Sequence, residues 1–395
     1  MDAILEILNK WNALRYEEDF TDRFNYQYTP YLFALSALLI TSKAYMGKAI
    51  VCWAPAEFRK GWDEYARDYC LIENTYYLPM EDPHMPEISE REERKLPYYQ
   101  WVQFVLVLLG FMFYLPHVLW RSINWWSGIQ VQAVVKTAST LSKHDENERN
   151  KGIQKIAGHI LRANNRGATG FCFRPGWVSL AYLLMKFMFL ANIVLQIIIL
   201  HIFLGFNWGD LFRLRLNFKS DWMSTGLFPR STMCDFDIRN KGNIQRYSVQ
   251  CVLSINMFNE KIFLVLFYWL IILFVITVVN TVTWFIRLSS KGSRVEFTGR
   301  MLRASGSSQP GSPKSRITVP SLLPSSPSEK ETLKRPDELE KEDYSNARYE
   351  FSKLSVDVYV VLKLIALNAG DVVCSDVVGE LFKQYNEEQI NNKHD

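Results

Sequence analysis

The sequence predicts an all-α membrane protein. It is a four-transmembrane-helix bundle with disulfide-linked extracellular loops, which carry a short helix and strands, and a helical cytoplasmic domain. Three observations lead there. Apolar residues are 48% of the 395 and aromatic ones 14%, yet the mean hydropathy is near zero, so the apolar residues are gathered into blocks. Those blocks, at residues 31–50, 102–120, 178–203 and 262–285, are each about 20 residues or more, enough to cross a hydrocarbon core of ~30 Å. Two pairs of cysteines, Cys52 with Cys70 and Cys234 with Cys251, fall in the first and third loops between the blocks. Buried helices of a soluble core are the competing reading, but such helices run to about 10–14 residues, far short of IFLVLFYWLIILFVITVVNTVTWF.

Sidedness follows from charge and cysteine. The start, MDAILEILNK, has neither a cationic n-region nor a small-residue cleavage site, so the first span is expected to serve as the insertion signal. Lys and Arg gather on the cytoplasmic side of spans. Arg287, Lys291, Arg294, Arg300 and Arg303 follow the fourth block with Glu296 the one acid among them. The middle loop, residues 122–176, has 8 basic and 3 acidic residues, and the first loop, residues 51–97, has 6 and 11. The third loop, residues 205–259, dissents with 7 and 4. Cysteine placement decides, because pairs confined to one side read as disulfides in an oxidising space. The first and third loops are therefore extracellular, and the middle loop and both termini cytoplasmic, with Cys172 and Cys374 as reduced thiols. Four cysteines allow three connectivities. Cys52 and Cys251 border spans while Cys70 and Cys234 lie farther out, and matching depth with depth gives Cys52–Cys251 and Cys70–Cys234.

In chain order, residues 1–26 are amphipathic, with Ile4, Ile7, Leu8, Trp11 and Leu14 at helical spacing and Asp2, Glu6, Asn9 and Lys10 opposite. This is either an interfacial helix on the inner leaflet or a helix in the mouth of a pore, with Met1, Asp2, Leu5 and Asn9 as lining candidates. The first span, residues 27–51, carries Ser36 and Lys43, seven apart on one face, and Lys48 near its outer end. An ionisable residue in a span faces protein or a water-filled cavity, although a terminal lysine can snorkel; these three join the lining candidates. In the first loop, residues 52–100, a short helix is expected over 55–69 with Pro55 near its start. Phe58, Trp62, Tyr65 and Tyr69 make one aromatic face of it, and Glu57, Asp63, Glu64 and Asp68 remain for water or for a permeating cation, Glu57 and Asp63 being lining candidates.

The second span, residues 101–121, contains Pro116, which kinks a helix by removing a hydrogen bond, and His117, read as structural. A helical middle loop, residues 122–177, leads to the third span, residues 178–204, where Lys186, Asn192, Gln196 and His201 call for protein partners. The third loop, residues 205–260, alternates over 245–253 as a strand does. After the fourth span, residues 261–286, comes a C-terminal region, 287–395. Its stretch 305–345 is rich in Ser, Pro, Lys and Glu and reads as a disordered linker with many serines open to phosphorylation. Two helices within 355–386, broken at Gly370, carry enough Val and Leu to pack, with the middle loop as the expected partner.

Several of these stretches form a signature. DRFNYQYTPYL, SKAYMG, CWAPAEF with YC and NTYY, YYQWV at the second span, and FPRSTMCDF through RYSVQCVL to NEKIF together resemble the innexins, the invertebrate gap-junction proteins. The likeness covers most of the chain outside the Ser/Pro linker. Ala49, Leu71 and Ser254 depart from it, standing where Pro, Trp and Pro are expected. The resemblance implies a ring of eight subunits around a central pore, alone or mixed with other innexins. Each ring is then a hemichannel that docks with one in the adjacent cell at a plasma-membrane junction and passes ions and small metabolites. It further implies that the N-terminal helix lines the cytoplasmic funnel, that the loop-to-loop disulfides hold the docking surface, and that Pro116 contributes to gating. No cofactor, metal or nucleic acid is expected.

Two other functions compete: a non-junctional large-pore channel similar to the pannexins, and a four-span adhesion or scaffold protein without a pore. The chain has no N-x-Ser/Thr sequon, so no glycan is expected to obstruct docking. Lys43 and the polar third span speak for a pore. No Gly-rich phosphate loop, H-E-x-x-H or Ser/His/Asp arrangement points to an enzyme.

Overall fold

A computed structural model describes residues 18–56, 58, 60–79, 84–126, 129–141, 145–165, 176–205, 228–305 and 355–394. The chain divides into two compact units, one of residues 1–20, 118–186 and 280–395, the other of residues 21–117 and 187–279.

In the second unit, α1 (Phe20–Arg23) passes through a π-helical turn (Phe24–Tyr28) into α2 (Thr29–Met46). The wide turn is held by its side chains. The Phe24 carbonyl accepts from both the backbone N–H and the hydroxyl of Thr29. Asn25 donates to the Thr21 carbonyl and to Thr277 Oγ1, each at 3.0 Å. Such turns are rare and favour functional positions. The first predicted span overshoots: α2 stops at Met46, Gly47 is extended, and Ile50 opens strand β1 (Ile50–Trp53). The apolar run there is interrupted by a turn, and its β-branched end pairs into a sheet instead of continuing a helix.

The predicted helix over 55–69 is displaced as well. As α3 it runs Lys60–Glu73, and the short α4 (Ile88–Glu93) follows. Next come α5 (Tyr98–Trp126), α8 (Trp177–Leu204) and α9 (Ser254–Ser289). Among the described residues, these three are the helices long and apolar enough to cross a membrane. The 18 residues of α2 are diluted by Thr29, Ser36, Thr41, Ser42 and Lys43. A Cβ at Gly110 would stand 3.2 Å from Phe33 Cβ, so this glycine lets α5 and α2 approach. Phe33, Ile40, Leu106, Phe113, Ile193 and Leu270 fill the core beside it.

The sheet has the order β1–β3–β2 and is antiparallel throughout. Strands β2 (Ser231–Asn240) and β3 (Asn243–Leu253) form a hairpin whose two central residues, Lys241 and Gly242, have φ of 54° and 115°. Positive φ at both is what a two-residue type I′ turn requires.

The other unit contains α6 (Val131–Leu141), α7 (Glu146–Asn165), α10 (Lys291–Ala304), α11 (Val356–Ala369) and α12 (Asp371–His394). Helix α11 packs on α6, and α12 packs on α7 and α10. Asp357 of α11 accepts hydrogen bonds from the backbone N–H of Gly176 (2.7 Å) and of Ser179 (2.9 Å) and from the Ser179 hydroxyl (2.7 Å). A carboxylate on orphan N–H groups caps the start of α8, worth about 1 kcal/mol.

Candidate functional site

In the second unit the first and third loops fold as one object. The register of β1 on β3 sets Cys52 opposite Cys251, and they form a disulfide. Near the end of α3, Cys70 forms the second disulfide with Cys234 of β2. All four cysteines are buried. Ala66 and Cys70, four residues apart, are the buried positions of α3, a spacing that puts them on one face. Around this bridge the rings interlock. Phe58 meets Trp62 at 5.6 Å and Tyr247 at 5.2 Å, Tyr69 meets Phe236 at 5.9 Å, and Phe236 stacks on Tyr247 at 5.8 Å. The predicted aromatic face is therefore divided, with Phe58 and Tyr69 packed and Trp62 and Tyr65 about half exposed.

A polar clamp closes one side. Arg91 Nη1 donates to Asp235 Oδ2 at 2.8 Å, and the Tyr76 hydroxyl donates to Asp235 Oδ1 at 3.1 Å. The backbone of Tyr76 also exchanges hydrogen bonds with Met233, adding a bridge to the edge of β2. Burial, and then the Asp235 charge, push the Tyr76 phenol up to about 12. On the exposed part of the hairpin, Arg246 holds both carboxylate oxygens of Asp237 at 2.9 and 3.0 Å, and that bonding lowers the Asp237 pKa. Sequence reading missed the Arg91–Asp235–Tyr76 clamp. Its members lie up to 159 positions apart and carry no local pattern.

Of the predicted lining residues, Met1, Asp2, Leu5, Asn9 and Glu57 lie outside the described residues. Ser36 is 6% exposed and donates to the Leu32 carbonyl of its own helix. Lys43 is half-buried with its ammonium 5.6 Å from the centre of the Phe258 ring. Lys48 and Asp63 are exposed. Pro116 lies inside α5. The next residue, His117, is buried and stacks on Tyr26 of the π-helical turn at 4.1 Å and 9°. Of the polar third-span residues, Gln196 donates to the Leu109 carbonyl at 3.0 Å. Lys186, fully buried, has Nζ 2.6 Å from Asn280 Oδ1 and 3.6 Å from Asp19 Oδ2. Cys172 is outside the described residues; Cys374 is a buried free thiol whose pKa burial pushes up to about 12.

The family model described as Innexin matches residues 18–385. Innexin-3 of Caenorhabditis elegans is 34% identical over 389 residues, which cover 95% of this chain and 86% of that protein. Innexin unc-9 of the same organism is 33% identical, covering 96% of this chain and 95% of its own. Innexin eat-5, also of Caenorhabditis elegans, is 33% identical over 92% of this chain and 86% of its own.

Proposed function

This chain belongs to the innexin family, whose members are gap-junction channel proteins and not enzymes, and from that premise we propose that it is a subunit of a ring-shaped hemichannel that docks with its counterpart on an adjacent cell. In this reading α2, α5, α8 and α9 are the four spans. The first and third loops face outward, the termini and middle loop face the cytoplasm, and eight subunits enclose a pore for ions and small metabolites. The single observation that carries it is the fusion of both outer loops into one stapled body. A docking face must present the same backbone edges each time, and two disulfides across a three-stranded sheet restrain them. The exposed apolar rows of α5 (Trp101, Phe104, Leu108, Phe111) and α9 (Val265, Ile272, Val279) support it too, since surfaces of that kind are covered by lipid or by other subunits. The lining set proposed is Met1, Asp2, Leu5 and Asn9 with Ser36, Lys43, Lys48, Glu57 and Asp63, and Pro116 is the gating kink.

Paired cells that each express the chain test this. Intercellular current and dye transfer are expected. Dye entry from the medium without transfer between partners would mean a non-junctional channel, and surface protein with no conductance of either kind would mean no pore.

A further inference from the structure

Positive charge gathers where α9 ends. Arg287 is in the last turn of α9, and Lys291, Arg294, Arg300 and Arg303 follow on α10. Arg294 and Arg300 stand three residues to either side of Phe297 and so flank it along the helix. Phe297 is buried beneath α11, where Tyr359 meets its ring at 5.5 Å and 83° and Lys363 Nζ stands 4.7 Å over its centre. Tyr359 and Lys363 are one helical turn apart, so α11 adds a half-buried cation to those of α10.

The crowding shows in two pKa values. Burial and then Arg287 push the Lys363 ammonium down, Arg300 adding to them and Asp371 opposing. Burial raises the Tyr359 phenol, while Arg287 and Arg294 draw it back. Arg287 therefore acts on both side chains of α11. Counter-charge is thin. Glu296 pairs with Arg300 at 3.5 Å, but both side chains are well exposed, and such a pair contributes little. Among the described residues, no carboxylate pairs with Arg287, Lys291, Arg294 or Lys363. Cations held together in this way attract an anion, and guanidinium groups match phosphate in geometry.

The place indicates where that anion comes from. In the turn and a half of α9 before Arg287, Val282, Phe285 and Ile286 are each half exposed or more. Exposed apolar residues followed within one turn by a cluster of Lys and Arg match the passage from acyl chains to headgroups at the end of a span. We infer that Arg287, Arg294, Arg300 and Lys363 form a binding site for the phosphorylated headgroup of an anionic membrane lipid, joining the end of α9 to α11. This rests on α9 being a span, as proposed above.

The test uses the purified full chain in detergent and a fluorescent short-chain phosphatidylinositol bisphosphate, followed by polarisation. Unlabelled competitors are the same lipid, the soluble inositol trisphosphate headgroup and inorganic phosphate. Wild type is compared with Arg294→Gln/Lys363→Gln, and with Lys151→Gln/Lys155→Gln, which removes equal charge from the exposed face of α7. The first pair should weaken binding roughly 30-fold, the second less than about 3-fold, because only the first touches the site. Arg300→Gln, at an exposed position, should cost about 5-fold and decides the matter if the first pair does not fold. Absence of lipid binding by wild type, or equal losses in the two double variants, would overturn the inference. So would a soluble headgroup or phosphate that competes as well as the lipid, since the ligand would then be a free anion. Alkaline carbonate that strips the chain from membranes would refute the span itself; a chain retained there without lipid binding strikes this site alone.

Discussion

Removing the outer staple by the paired replacement Cys70→Ser/Cys234→Ser isolates what holds α3 to the sheet. The two bridges close 199 and 164 residues of chain, a difference of 35. With Cys52–Cys251 intact, the second bridge therefore closes a path of about 35 residues, all of it in the two outer loops. Chain-entropy arithmetic applies to that path, because it contains none of the long apolar helices α5, α8 and α9. A loop of that length gives about 4 kcal/mol at 25 °C, or roughly a 10³-fold rise in the population in which α3 has left the sheet. What remains on α3 includes the Tyr69 ring on Phe236 and the Gln100 amide donating to the Leu71 and Ile72 carbonyls at 2.7 Å, while the β2–β3 pairing involves no residue of α3, so the sheet stays formed while α3 opens. Hydrogen exchange of the amides of residues 66–71, measured in detergent against wild type, reads this population. Acceleration by two to three orders of magnitude is expected at α3 with little change in β3, together with loss of intercellular current at normal surface density. Acceleration of less than about 10-fold would refute the reasoning, since the aromatic face would then be the restraint and the bridge incidental.

Tyr76 makes the outer loops sensitive to alkali. Its phenol is raised from 10 to about 12, so its share of stability is complete below pH 10 and is lost as pH climbs from 10 to 12. The loss amounts to about 2–3 kcal/mol, and a Tyr76→Phe chain should show a flatter stability profile over that window; parallel profiles would remove Tyr76 as the cause. Lys43→Glu should move the reversal potential toward cation preference if the ammonium faces the lumen. Unchanged selectivity with normal expression would assign Lys43 to its Phe258 contact alone.

Most of the helical layout is legible in the sequence because hydropathy is a local quantity. The apolar blocks at 102–120, 178–203 and 262–285 lie inside α5, α8 and α9, and the stretches that resemble the innexins fall within the family match over residues 18–385. The end of α2 was less legible, since Ala49 and Ile50 look as apolar in a span as they do in a strand. Strand β2 is not legible although Thr232, Cys234 and Phe236 alternate inward, because Asp235, Asp237 and Arg239 in its second half read as a polar loop. The four cysteines mark the two loops that join, and matching their distance from the apolar blocks gives the pairing the structure has. Which residues brace those bridges is another matter: that Arg91 meets Asp235 across 144 positions, or that Lys186 is answered by Asp19 and Asn280, is encoded in no window of the chain. Periodicity and composition act over one or two turns of backbone. A partner for a buried charge is chosen by whichever side chain packing delivers, and only the folded arrangement makes that choice.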